Sequence, residues 1–160
     1  MEVCQQVAAG LRRSTSEGHA PRDFCDRIAG MNDYDALISA AKQARENAHA
    51  PLSNFRVGAA VRAKSGRIFT GCNVENATLG LTCCAERVAI FKAVSEGEHG
   101  FDAIAIAADT ETLTPPCGSC RQIIWEFCRD VPVILTNLKG KVEQTTSGKL
   151  LPHPFDSSFL

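Results

Sequence analysis

From residue 33 onward the chain switches repeatedly between two hydrophobic periods. Between Asp33 and Ala48 the apolar residues Tyr34, Leu37, Ile38, Ala41 and Ala44 recur at helical spacing, and Pro51 closes the segment. Phe55–Ala63 alternates instead around Val57, Ala59 and Val61, the period of a half-buried strand. Lys64-Ser65-Gly66 carries turn chemistry and Arg67–Cys72 returns as a second strand, so the two predict a hairpin. A loop over Asn73–Thr82 leads to a helix over Ala85–Ser95, with Val88, Ala89, Phe91, Ala93 and Val94 as candidate core positions. Asp102–Ala108 reads as a short apolar strand, Arg121–Cys128 as a helix, Val131–Asn137 as a strand and Lys141–Thr145 as a last one. The order helix, hairpin, helix, strand, helix, strand predicts an α/β layered domain.

Residues 1–30 break this pattern, with two short apolar patches around a polar middle, Ser14–Arg22. They are expected to form a flexible appendage, leaving 31–160 as the folded domain. Met31, the only methionine besides Met1, opens a new segment and is an alternative start. Composition narrows the function. Seventeen basic against eighteen acidic side chains give a net charge of −1, without the basic surplus of a nucleic-acid binder. No apolar run approaches the ~18 residues of a transmembrane helix. The N-terminus lacks a long apolar signal-peptide region, so the expected compartment is the cytoplasm. Five of the eight cysteines fall in two places, Cys72/Cys83/Cys84 and Cys117/Cys120. In a reducing compartment, thiols clustered in this way point to a metal rather than a disulfide framework.

The fragments Cys84-Ala85-Glu86 and Pro116-Cys117-Gly118-Ser119-Cys120 carry the chemistry. Both fall at the predicted starts of helices. The i, i+3 spacing puts Cys117 and Cys120 on one side of a first helical turn, and the intervening helix and strand allow the chain to return to the same sheet edge. Three converging thiolates leave a fourth tetrahedral position open, the arrangement of a catalytic zinc. Such a centre is negatively charged, which two helix N-termini would offset. Arg87 and Arg121, close behind ligands, are candidate donors to the sulfurs. Glu86 is placed to move protons between a zinc-activated water and a substrate nitrogen. A structural zinc with four cysteine ligands, closed by Cys72 or Cys83, and a Cys117/Cys120 redox pair are the competing readings. Cys4, Cys25 and Cys128 read as ordinary thiols.

At these residues the chain resembles the small zinc-dependent cytidine deaminases of pyrimidine salvage. Asn54-Phe55-Arg56-Val57-Gly58-Ala59, Gly71-Cys72-Asn73-Val74-Glu75-Asn76-Ala77, Cys84-Ala85-Glu86-Arg87, Pro116-Cys117-Gly118-Ser119-Cys120-Arg121-Gln122 and Leu150-Leu151-Pro152 occur in the family's order and spacing. The resemblance covers about residues 31–156. It implies a three-layer α-β-α sandwich around a mixed five-stranded sheet. It also implies one Zn2+ per subunit on Cys84, Cys117 and Cys120, and Glu86 as the proton shuttle. Asn73 and Glu75 would bond the ribose, Phe55 and Ala85 would meet the pyrimidine, and Phe155 would reach a neighbour's site in a homotetramer. The implied reaction converts cytidine or 2'-deoxycytidine to the uridine with release of ammonia. The chain departs from the pattern at Leu52 and Leu79, where many members carry tyrosine. A deaminase of blasticidin S or of an N4-substituted cytidine therefore remains the alternative. A nucleic-acid editor and a non-catalytic zinc protein are the remaining rivals. No nucleic-acid or membrane partner is expected.

Overall fold

The computed structural model describes residues 33–160. The expected appendage, residues 1–30, with Cys4 and Cys25, lies outside the described residues. Helix α1 (Asp35–Arg45) leads into the hairpin β1 (Val57–Ala63) and β2 (Ile68–Cys72). Helix α2 (Ala85–Ser95), strand β3 (Phe101–Ala108), helix α3 (Gly118–Cys128) and strands β4 (Pro132–Asn137) and β5 (Val142–Thr146) follow. A short helix α4 (Ser147–Leu150) and a 3-10 turn (Ser157–Phe159) complete the described chain.

The strands form one sheet in the order β2-β1-β3-β4-β5. Every neighbouring pair is antiparallel except β3 and β4. That parallel pair needs a crossover, which α3 supplies. Alternation along β3 sorts the layers. Ala103, Ala105 and Ala107 meet Leu37 and Ala41 of α1 on one face. Ile104, Ile106 and Ala108 join Ala85, Ala89, Ile90 and Ala93 of α2 and Ile124 and Cys128 of α3 on the other. The result is the expected three-layer sandwich around a mixed five-stranded sheet.

Two glycines set how closely the layers approach. A Cβ on Gly58 would lie 2.1 Å from the Ala41 carbonyl oxygen. One on Gly71 would lie 2.4 Å from the Ala89 nitrogen and 2.5 Å from the Ala85 oxygen. Both helices therefore rest main chain to main chain on the sheet, a fit that only glycine permits.

Element boundaries differ from the sequence expectation for local reasons. Helix α1 is shorter at both ends than Asp33–Ala48. Strand β1 starts at Val57 rather than Phe55, because Asn54 adopts a left-handed φ of 57°. Helix α3 begins at Gly118 rather than Arg121, with Cys117 in the N-cap position, despite the weak helix propensity of Gly118 and Ser119. The loop after β2 contains a 3-10 turn at Leu79–Leu81. Helix α4 was not anticipated; Thr146 caps it by accepting a bond from the Lys149 amide.

Candidate metal centre and pocket

Cys84 and Cys117 are the N-cap residues of α2 and α3, both in extended conformation and neither making a side-chain cap hydrogen bond. Cys120 sits in the first turn of α3, fully buried. The three sulfurs lie within 4.8 Å of one another, with Cys84 and Cys117 3.9 Å apart. Tetrahedral zinc with Zn–S bonds of about 2.3 Å separates its sulfurs by about 3.8 Å, so the arrangement fits that ion. Both helices also direct their partial positive ends toward the cluster.

The cluster acidifies one of its own thiols. A hydrogen bond from Cys120, followed by those from Arg87 and Cys117, lowers the Cys84 thiol to about 5 despite its burial. Cys120 is shifted upward, because it gives its hydrogen to Cys84 and is itself buried. Arg87 Nη2 stands 3.5 Å from Cys84 Sγ and donates to the Thr82 carbonyl at 2.9 Å. It is thus placed as the sequence anticipated. Arg121 is not. Its Nε donates to the Pro116 carbonyl at 2.9 Å and its Nη1 to the Leu150 carbonyl at 3.1 Å. It braces the loop before Cys117 against α4 instead of supporting a sulfur.

The alternative fourth ligands stand apart. Among the described residues, the group able to hold a metal comprises Cys84, Cys117 and Cys120, without Cys72 or Cys83. The Cys72 thiol donates to the Asn47 carbonyl at 3.3 Å. All six described cysteines are free thiols, Cys117 and Cys120 included.

Glu86, in the first turn of α2, is 4% exposed. Burial, reinforced by the charge of Cys84, raises its pKa. A carboxyl so placed can hold a proton that an exposed glutamate would lose. It lines a cavity of about 350 Å³ together with Cys84, Cys117, Ala85, Phe55, Asn73 and Glu75.

One short extended stretch places Asn73 and Glu75. Val74 bridges to His49 on one side and Cys83 on the other, which ties this segment directly to the start of α2. Residues i and i+2 of extended chain share a face, and both line the cavity. Asn73 accepts from the Val57 amide at 2.9 Å and donates to the Phe55 carbonyl at 2.8 Å, so it also fixes the backbone around Phe55. Glu75 accepts from the Leu52 amide at 2.9 Å, the Ser53 amide at 3.2 Å and the Ser53 hydroxyl. The Ser53 hydroxyl and the Leu52 amide hold its carboxyl below the usual range.

Phe155 is not among the residues lining this cavity; it is 60% exposed. Sequence reasoning missed Ser53, Thr82 and Thr114, all of which line it. Ser53 had a readable signal, a small hydroxyl residue in a Pro-led loop before the strand. Thr114 had none, because its place follows from how the loop after β3 folds back.

The matched sequence model is that of the cytidine and deoxycytidylate deaminase zinc-binding region, over residues 31–136. The chain belongs to that family. It is 54% identical over 129 residues to a cytidine deaminase of Sporosarcina psychrophila, covering 80% of this chain and 95% of that protein. The crystal structure of cytidine deaminase from Burkholderia pseudomallei is similar at 50% identity and a TM-score of 0.73, covering 75% of this chain and 97% of that one. A blasticidin-S deaminase of Bacillus cereus is more distant, 35% identical over 108 residues, covering 62% of this chain and 76% of that protein.

Proposed function

We propose that the chain is a zinc-dependent cytidine deaminase that hydrolyses cytidine and 2'-deoxycytidine to the corresponding uridine and ammonia. The observation that carries this reading is the convergence of three thiols, two of which, Cys84 and Cys117, line one cavity with the buried Glu86. Residues 31–160 act as the catalytic domain, and residues 1–30 are an appendage to it. Cys84, Cys117 and Cys120 hold the zinc. When bound, the ion supplies the Lewis acidity that activates water for attack at C4 of the pyrimidine.

The chain's own residues do the rest. Phe55, Val57 and Ile106 give the ring an apolar seat. Asn73 and Glu75 bond the ribose, which positions C4 near Glu86. Glu86 takes a proton from the attacking water and delivers it to ring N3; it then takes the proton of the new C4 hydroxyl and passes it to the amino group, which leaves as ammonia as the C4 carbonyl forms. Its raised pKa suits a group that must hold a proton between transfers. Burial of the carboxyl excludes bulk water from those steps.

The active form is a homo-oligomer, a tetramer by family resemblance, working in the cytoplasm. Exposed Leu52, Leu79, Leu81 and Phe155 supply apolar surface for subunit contacts. Phe155 closes a neighbour's cavity.

A substrate panel tests the reaction. Purified protein is given cytidine, deoxycytidine, dCMP, cytosine, blasticidin S and N4-acyl cytidine, with ammonia release measured and Glu86→Ala as control. Turnover is expected with cytidine and deoxycytidine. A preference for blasticidin S, or release that persists in Glu86→Ala, overturns the reading. Mixing Glu86→Gln with Phe155→Ala subunits tests the shared site. Hybrids pair an intact Glu86 with a neighbour's intact Phe155, so activity should exceed that of either parent.

A further inference from the structure

The end of the chain is fastened to α3 while its aromatic rings stay free. Gln122 Nε2 donates to the Phe155 carbonyl at 2.6 Å. Trp125 Nε1 donates to Asp156 Oδ2 at 3.2 Å, and Arg129 Nη1 lies 3.6 Å from the same oxygen. Gln122 and Trp125, three residues apart, share one face of α3, and Arg129 follows as its C-cap residue. Together they grip a single dipeptide, Phe155-Asp156. The other carboxylate oxygen, Oδ1, accepts from the Ser158 amide at 2.9 Å and caps the final 3-10 turn. That turn brings Phe159 into a stack on Phe155, with centroids 5.5 Å apart and planes 13° from parallel.

The contrast in exposure is informative. The Asp156 side chain is 20% exposed, whereas Phe155 and Phe159 are 60% and 69% exposed. A tail that merely completed its own core would bury the rings and leave the acid outside. Here the acid is bound and the rings are presented. The Ser158 and Trp125 contacts hold the Asp156 carboxyl at about 2, so it is ionised at any ordinary assay pH.

We infer that Trp125 and Asp156 are positioning residues for the reaction: their bond, backed by Gln122 and Arg129, fixes the Phe155 backbone so that its ring is offered to a neighbouring subunit's pocket in one direction. The inference rests on the role given to Phe155 above. Terminal residues left loose lose backbone entropy each time they order. A latch meets that cost on folding, so it does not recur when substrate binds. Of the three thiols, Cys84 is the N-cap residue of α2 and Cys117 and Cys120 lie at the start of α3, ahead of Gln122, so releasing the tail should leave them in place.

The test compares Asp156→Ala, Trp125→Phe, Phe155→Ala and the Phe155→Ala/Asp156→Ala double variant as zinc-loaded full-length proteins. Melts confirm that each is folded. The single latch variants should raise KM for cytidine by roughly tenfold, with kcat within a few-fold and zinc content unchanged. Asp156→Asn keeps an oxygen acceptor for the indole and should restore most of the wild-type KM. The double variant should match Phe155→Ala, because nothing remains to be positioned. Trp125 is the only tryptophan of the chain, so its emission reads the latch directly and should shift to longer wavelength in Asp156→Ala. A raised KM in Phe155→Ala beside unchanged KM in both latch variants overturns the latch alone. So do additive losses in the double variant, or unshifted emission in Asp156→Ala. A wild-type KM in Phe155→Ala overturns the reading of Phe155 and the latch with it.

Discussion

Gly71→Ala tests how the fold holds its chemistry in place. Gly71 lies on β2, paired with Ala59 of β1. The added Cβ would sit 2.4 Å from the Ala89 nitrogen, 2.5 Å from the Ala85 oxygen and 2.8 Å from Val88 Cβ. Ordinary contact begins near ~3.5 Å, so the shortfall is about 1 Å. Two of the three colliding atoms are main chain and cannot rotate away. Helix α2 must therefore retreat at its first turns, lifting Ala85, Ala89 and Ile90 off the sheet. A gap of 0.5–1 Å forfeits about a quarter to a half of each dispersion contact, and overpacking of this kind costs about 1–3 kcal/mol. The rigidity of the colliding atoms places Gly71→Ala at the upper end, a fall of roughly 10 °C in Tm for a domain of this size. Cys84 and Glu86 flank Ala85 in the same turn. Displacement by ~1 Å should lower kcat/KM on the order of 10²-fold. Gly58→Ala is the control. Its Cβ meets α1 just as closely, 2.1 Å from the Ala41 oxygen and 2.4 Å from the Arg45 nitrogen, yet α1 carries no residue lining the cavity. It should lose comparable stability while keeping kcat/KM within a few-fold below its Tm. Calorimetric melts and steady-state kinetics on zinc-loaded proteins provide both readouts. A Gly71→Ala protein that melts within about 2 °C of wild type, or a Gly58→Ala protein equally damaged in catalysis, would refute the reasoning.

Glu86→Gln should retain zinc and lose turnover by at least 10²–10⁴-fold; a variant that loses its metal or turns over normally contradicts the proton-shuttle role. The same substitution has a pH signature in metal-free protein. Burial raises the folded pKa of Glu86 above the ordinary carboxylate value of the unfolded chain, so wild-type stability falls as pH rises from that value through the folded one. The stability advantage of Glu86→Gln should grow across that window and level off above it; a Tm difference that stays flat with pH counts against the assignment. Cys84→Ala, Cys117→Ala and Cys120→Ala should each release zinc, while Cys83→Ala keeps full stoichiometry; X-ray absorption showing four sulfurs would sink the open site. Arg87→Ala, which removes the guanidinium beside Cys84 Sγ, should weaken zinc affinity about 10–100-fold, read by competition with a chelator.

The layered fold was legible because β1 and β3 alternate so regularly. Ala59 and Val61 face one helix layer while Ala60 faces the other. The three-thiol cluster was legible because Cys84, Cys117 and Cys120 sit at helix starts, where spacing translates directly into geometry. What escaped was set by tertiary contacts. Arg121 follows a ligand in sequence, yet the carbonyls of Pro116 and Leu150 capture its guanidinium. Ser53 carries a signal in its Pro-led loop, but its partner Glu75, more than twenty positions away, emerges only when the chain folds. The early start of α3 was hidden because Gly118 and Ser119 are poor helix formers.

The bare helix starts carry an evolutionary consequence. Ser, Thr, Asp or Asn at an N-cap normally bonds the first-turn amides, and removing such a cap costs about 0.5–2 kcal/mol. Cys84 and Cys117 occupy those positions without making that bond. Thiols at these two positions forgo stability that Ser or Asp would supply, a trade of robustness for reactivity. A duplicated copy freed from catalysis should drift toward Ser or Asp at these two positions. Such a relic would melt above metal-stripped wild type, and a gain in stability at residues 84 and 117 would be the mark of an abandoned enzyme.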